Sequence, residues 1–178
     1  METTGWKFAG TIVPDAVTVD DLNKMKTADD IFAVCSTLYN PKSDSHLLYF
    51  TNFGFSVADI PVGATILGIE VEVKRYTKTS GVSNVYRMRP SDGGSYFKDG
   101  GSWPMSAGVQ NMGSSSDLWE RSWVRDNILS SDFGVVLTIT TSTNSTFYID
   151  YVKMRVTYSG GGGLAIPIIQ HYQNNMRH

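Results

Sequence analysis

The stretch Ile66-Leu67-Gly68-Ile69-Glu70-Val71-Glu72-Val73-Lys74-Arg75-Tyr76 decides the fold. From Ile69 onward, Ile69, Val71 and Val73 face one way while Glu70, Glu72 and Lys74 face the other. A period of two marks a strand with one face in a core and one in water. A second such run, 147–158, sets Val152, Met154, Val156 and Tyr158 against Tyr151, Lys153, Arg155 and Thr157. The segment 133–141 (FGVVLTITT) begins without a polar break, as a central sandwich strand does. Shorter strands are predicted at 32–37, 46–53 and 84–89, between clusters of Gly, Pro, Asn, Asp and Ser that read as turns. Only 18–25, with Thr18 as N-cap, and 123–129 carry helical signals, each for a turn or two.

Several short strands in one unit predict an all-β chain: an antiparallel two-sheet β-sandwich of jelly-roll type with a flexible C-terminal arm. Residues 1–30 read as an N-terminal strand or loop with a short helical segment packed on the sandwich, 31–159 as the sandwich core, and 160–178 as a glycine hinge and docking arm. In that arm Gly160 to Gly163 form a linker, and Leu164, Ile166, Pro167, Ile168, Ile169 and Tyr172 are the predicted subunit-docking residues. Apolar side chains on a free tail gain nothing in water, so the arm is expected to cover a neighbouring subunit.

Composition narrows the function. The 178 residues include 17 Gly, 19 Ser and 16 Thr but only 18% charged residues, which excludes a coiled coil. Aromatic residues at 12% argue against disorder. A net charge of −2 without any basic block gives no footprint for nucleic acid. Residues 1–10 show no leader pattern, and no apolar run reaches the roughly 18–20 residues of a membrane span. A soluble protein made in the cytoplasm is expected, with no membrane partner. The single Cys35, in Phe32-Ala33-Val34-Cys35, reads as a small buried hydrophobe.

Catalysis finds little support. His46 opens a strand and is expected to be solvated, while His171 and His178 lie in the tail. No metal-ligand spacing, phosphate loop or nucleophile motif is present, so no cofactor, metal or catalytic residue is expected. Glu70 and Glu72 have a spacing that a glycosidase pair could use, but alternate with core residues and neighbour Lys74 and Arg75 as on a solvent face. Asp150 interrupts an apolar run and needs donors, from loop amides or an arginine such as Arg87, which is a structural role. The Asp-Gly-Gly clusters at 92–94 and 99–101 read as turns, although a calcium site could use them. For binding, Tyr96, Trp103 and Trp119 are the glycan-contact candidates, since an exposed ring can stack on a pyranose. The competing reading puts Trp119 and Trp123 in the core, as a plug at one end of the sandwich.

The strings 48–55 (LYFTNFGF), 60–73 (IPVGATILGIEVEV), 115–119 (SSDLW), 131–137 (SDFGVVL) and 149–158 (IDYVKMRVTY) together resemble a β-sandwich domain of tailed-bacteriophage virion proteins. The resemblance runs in order over about 5–158 and carries no catalytic residues. It implies a capsid decoration (cement) protein or head-fibre base on the virion surface, synthesised in the bacterial host cytoplasm. Its expected partners are the major capsid protein or other virion proteins and further copies of itself. The alternative is a carbohydrate-binding or host-adhesion module of a phage tail or fibre that holds surface glycans. Gly63 is expected at a positive φ in the turn 61–64, and Gly68 at a close backbone approach or a bulge.

Overall fold

The protein was analysed as a computed structural model, which describes residues 1–38, 46–80, 82–89 and 97–161. Its strands are β1 (Glu2–Thr3), β2 (Lys7–Phe8), β3 (Thr11–Asp15), β4 (Thr18–Val19), β5 (Ala33–Thr37), β6 (His46–Thr51) and β7 (Ala64–Thr77). There follow β8 (Ser83–Arg89), β9 (Phe97–Ser102), β10 (Gly108–Gly113), the helical turn α1 (Arg125–Leu129), β11 (Gly134–Thr140) and β12 (Ser145–Gly160). One sheet has the order β10-β7-β12-β5-β4, with β1 and β2 also on β12; the other has the order β3-β6-β11-β8-β9. Every pairing between these strands is antiparallel. The chain is an antiparallel two-sheet β-sandwich of jelly-roll type.

The two long alternating runs form its spine. Val73 lies opposite Val152, Val71 opposite Met154 and Ile69 opposite Val156, all buried. Against them the second sheet sets Ile12, Leu48, Phe50, Val135, Leu137 and Ile139. The inward side chains of the two sheets meet in one core between them.

The spine carries two irregularities. Ile149 pairs with Arg75 but Tyr151 with Lys74, so Asp150 is the extra residue of a bulge. Thr157 pairs with Gly68 and Tyr158 with Ile66, which leaves Leu67 extra. Gly68 combines both expected features: beside its bulge, a Cβ there would lie 2.3 Å from the Ser115 carbonyl carbon. The loop 114–119 presses on this spot and permits only glycine. The turn 61–64 also forms as expected, with Gly63 at φ +78° and the Ala64 N–H donating to the Pro61 carbonyl at 3.2 Å.

Three expectations change. Thr18 caps no helix but pairs with Ser36 in β4; the helical signal survives as one 3₁₀ turn, Leu22–Met25, whose cap is Asp21 accepting from the Asn23 N–H. The strand expected over 46–53 stops at Thr51, because Asn52 and Gly54 turn the chain at φ +55° and +69°; the Phe53 and Phe55 rings still pack together, 6.4 Å apart, in the core. Residues 1–30 do more than pack on the sandwich, since β1 to β4 enter both sheets. The docking arm lies outside the described residues.

One end of the sandwich is closed by aromatic rings. Trp123 meets Phe133 edge-on at 5.3 Å, Phe133 meets Phe55, and Trp119 is buried in the same core. Trp119 and Glu120 both adopt left-handed backbone, at φ +55° and +59°, in a turn closed by the Arg121 N–H to the Leu118 carbonyl. Such a conformation costs roughly 1–2 kcal/mol per non-glycine residue. Burial of the Trp119 indole, whose Nε1 donates to the Ile69 carbonyl at 2.9 Å, offsets it.

Candidate functional site

Two of the three glycan-contact candidates, Trp103 and Trp119, are not at the surface, and for Trp119 the competing core reading holds. Trp119 is 1% exposed and Trp103 5% exposed. Trp103 stands edge-on to Phe147 at 5.0 Å, with the Arg75 guanidinium 4.7 Å from its ring centre. Neither ring offers a face to a ligand. Loop position suggested exposure, but each side chain turns inward to fill an end of the core, where a large ring buries most apolar area. Tyr96 lies outside the described residues, as do the arm residues Leu164, Ile166, Pro167, Ile168, Ile169 and Tyr172 and the cluster 92–94.

His46 is buried rather than solvated. As the first residue of β6 it shares the inward parity of Leu48 and Phe50, and its Nε2 lies 3.1 Å from the Leu38 carbonyl oxygen. Cys35 is buried as expected, and desolvation pushes its thiol upward, away from the reactive thiolate. Asp150 is fully buried and structural: its Oδ1 accepts from the Asp29 N–H at 3.4 Å, and its Oδ2 lies 3.1 Å from the Lys74 ammonium. The cation is a lysine rather than Arg87, because Arg87 belongs to the opposite sheet. At 99–101, Asp99 Oδ1 accepts from the Gly101 N–H at 2.7 Å, the geometry of a simple Asx turn. Among the described residues, no group of three or more His, Cys, Asp or Glu is placed to hold a metal ion.

Glu70 and Glu72 face solvent, each held by a cation. Glu70 takes a two-pronged bond from Arg155, at 2.8 and 2.9 Å. Glu72 accepts from Lys153 at 2.8 Å and from the Tyr151 hydroxyl at 2.6 Å. Burial pushes the Glu72 carboxyl up, but these two donors more than reverse it and hold it below the ordinary carboxylate range. Its contribution to stability is therefore complete above the unfolded-state value and lost as pH falls through the lower folded-state value. Wild type should lose stability on acidification in this window, and Glu72→Gln should flatten that part of the curve. Chemical denaturation between neutral pH and about pH 3 checks this; parallel curves would contradict it.

Among the described residues, an open groove lies on the outer face of the five-stranded sheet. Because Ile12, Leu48 and Phe50 point into the core, their neighbours Thr11, Val13, Tyr49 and Thr51 point out. The register sets Thr11 opposite Thr51 and Val13 opposite Tyr49. Asp132, just before β11, completes an open groove of about 380 Å³ lined by these five residues. The Asp132 N–H donates to Ser130 Oγ at 3.2 Å, which fixes the turn that presents it.

The groove joins a half-buried tyrosine and an exposed valine to two hydroxyls and a carboxylate. It has one carboxylate and no second acid or base within its lining. The lining suits non-covalent capture of a molecule with apolar patches and many hydroxyls. Sequence reasoning missed this site because Tyr49 stands in an unremarkable alternation, LLYFT. The register with β3, which brings Thr11 and Val13 beside it, is not written in either segment.

No family model and no curated protein matches the chain. Solved structures do. The structure described as PfGH50B matches at a TM-score of 0.50 and 10% identity, over 82% of this chain and 22% of that one. The carbohydrate-binding module described as BiXyn10A CBM1 gives 0.48 and 11%, over 86% and 98%. The C-terminal CBM6 of LamC from Zobellia galactanivorans gives 0.44 and 10%, over 88% and 99%. At such identities the likeness to PfGH50B shows the sandwich fold, and this chain spans about a fifth of that structure's length.

Proposed function

We propose that the chain is a carbohydrate-binding β-sandwich module without catalytic chemistry of its own, and that sugar binds the groove of Thr11, Val13, Tyr49, Thr51 and Asp132. The observation that carries this reading is the lining itself. A pyranose has C–H faces and a ring of hydroxyls, and the groove opposes them with apolar side chains and with hydrogen-bonding oxygens. The groove is shallow and rests on paired strands, so a ligand would bind without ordering a loop.

Glycan-array screening followed by calorimetry tests it. A bound glycan is expected, with affinity falling about tenfold for Tyr49→Ala and also for Asp132→Ala, at an unchanged melting temperature. No bound glycan, or wild-type affinity in both variants, would overturn the reading. Tryptophan fluorescence is a poor probe here, because Trp103, Trp119 and Trp123 are buried and the half-buried Trp6 stacks beside Lys153 and Arg155 of the other sheet.

A second reading concerns the setting and rests on the sequence resemblance across 5–158: the module is a virion component of a tailed phage, as an adhesion domain or as a decoration protein on the major capsid protein. The two readings are compatible, since an adhesion module of a particle is both. Antibody labelling of purified particles decides the setting; absence of the chain from the particles would refute it.

A further inference from the structure

The outer face of the seven-stranded sheet divides in two. Toward one end its outward side chains are ion-paired, as Glu70 with Arg155, Glu72 with Lys153 and Lys74 with Asp150. Beyond them lies an apolar patch. Val34 on β5 pairs in register with Tyr148 on β12, and Tyr148 with Tyr76 on β7. The two tyrosine rings stack 4.4 Å apart, and Phe32 meets Tyr76 edge-on at 5.0 Å. Val34 is 37% exposed, and across β7 on β10 Val109 (53%) stands opposite Lys74 and extends the patch. Lys78 and Lys74 rim it, over Tyr148 and Phe32. An aliphatic and aromatic patch across four strands with a polar rim has the form of an interaction surface.

We infer that this patch receives the apolar arm Leu164-Ala165-Ile166-Pro167-Ile168-Ile169 of a second copy of the chain. Length and reach support this occupant. Four adjacent strands span about 14 Å, and six residues of extended, proline-containing chain span about 19 Å. Pro167 fixes its own φ and biases Ile166 toward extended backbone, so less entropy is lost on docking against aromatic rings.

The arm cannot cover the row on its own domain. Tyr148 is twelve residues before Gly160 on one strand, a path of about 40 Å. Ile169 is nine residues past Gly160 and reaches at most about 32 Å. The donor is therefore another copy. Residues 162–178 contain no acidic residue to meet the two lysines, so apolar contact drives the association and salt should hardly weaken it.

Sedimentation of the full-length chain tests this, without reference to any glycan. Wild type is expected to self-associate at high micromolar concentration. Ile166→Asp with Ile168→Asp on the arm, and Val34→Glu with Val109→Glu on the patch, should each give monomers with unchanged melting. Mixing the two variants should recover a 1:1 complex, because one retains an intact patch and the other an intact arm. Should the patch variant unfold, a peptide of residues 162–178 titrated into the arm variant supplies the measurement, and saturable binding is expected. A monomeric wild type, association that survives either pair of substitutions, a mixture that stays monomeric, or a peptide that does not bind overturns the inference.

Discussion

Trp119→Ala is expected to remove about 3–5 kcal/mol of folding stability, the usual range for truncating a buried aromatic. Three losses combine at this position. The indole is fully buried at the plugged end of the sandwich. Its Nε1 is a donor to the Ile69 carbonyl beside the Leu67 bulge. Its backbone is held at φ +55°, so alanine keeps the strain and loses the burial that offset it. Trp119→Phe separates the contributions, since it keeps most of the apolar contact and removes the donor. It should fall between, at about 1–3 kcal/mol. Denaturant midpoints at constant slope measure both, and a loss below about 1 kcal/mol for alanine would show that the end is not closed by this ring.

Asp150→Ala is expected to remove about 1–3 kcal/mol, because a fully buried acceptor is lost from the bulge, while the partly exposed Lys74 keeps its ion pair with Asp30. The carboxylate sits in the bulge of the spine and joins the loop at Asp29 to Lys74 on β7. Without it, the Asp29 N–H loses its acceptor and Lys74 is left with Asp30 alone. Asp150→Asn retains an oxygen for the amide but not the charge, so its stability should lie between alanine and wild type. Adding Lys74→Met to Asp150→Ala should recover part of the loss, as a double-mutant cycle would report. Strictly additive effects would mean that the pair is not coupled.

What could be read in the chain followed the strength of its periodicity. The strands around Val71, Val136 and Val152 were legible because each carries its own alternating or continuous apolar pattern. Their faces follow from that parity, as does the turn at Pro61-Val62-Gly63. β9 (Phe97–Ser102) and β10 (Gly108–Gly113) were not legible: FKDGGS and GVQNMG have low strand propensity and pair because β8 and β7 offer free edges. The candidate site suffered more. Tryptophan draws attention as a sugar platform, yet its size makes it equally suited to sealing a core end, and nothing local decides which way Trp103 or Trp119 turns. The groove residues belong to segments nearly forty positions apart, Thr11 and Val13 against Tyr49 and Thr51, and only strand pairing unites them. The burial of His46 follows from its parity with Leu48, a signal that its place at the loop end of β6 obscures.

The central place of β12 has a kinetic consequence. The last strand among the described residues, it pairs with β7, β5, β1 and β2, joining residues as far apart as Glu2 and Tyr158. During synthesis β7 and β5 must therefore wait, lacking their main partner, until residue 160 has left the ribosome. The five-stranded sheet has no such dependence, since β11 completes it first. Folding should be dominated by distant contacts and slow for a chain of this size. The exposed edges of β5 and β7 on the unfinished chain are where misassembly between nascent copies would begin.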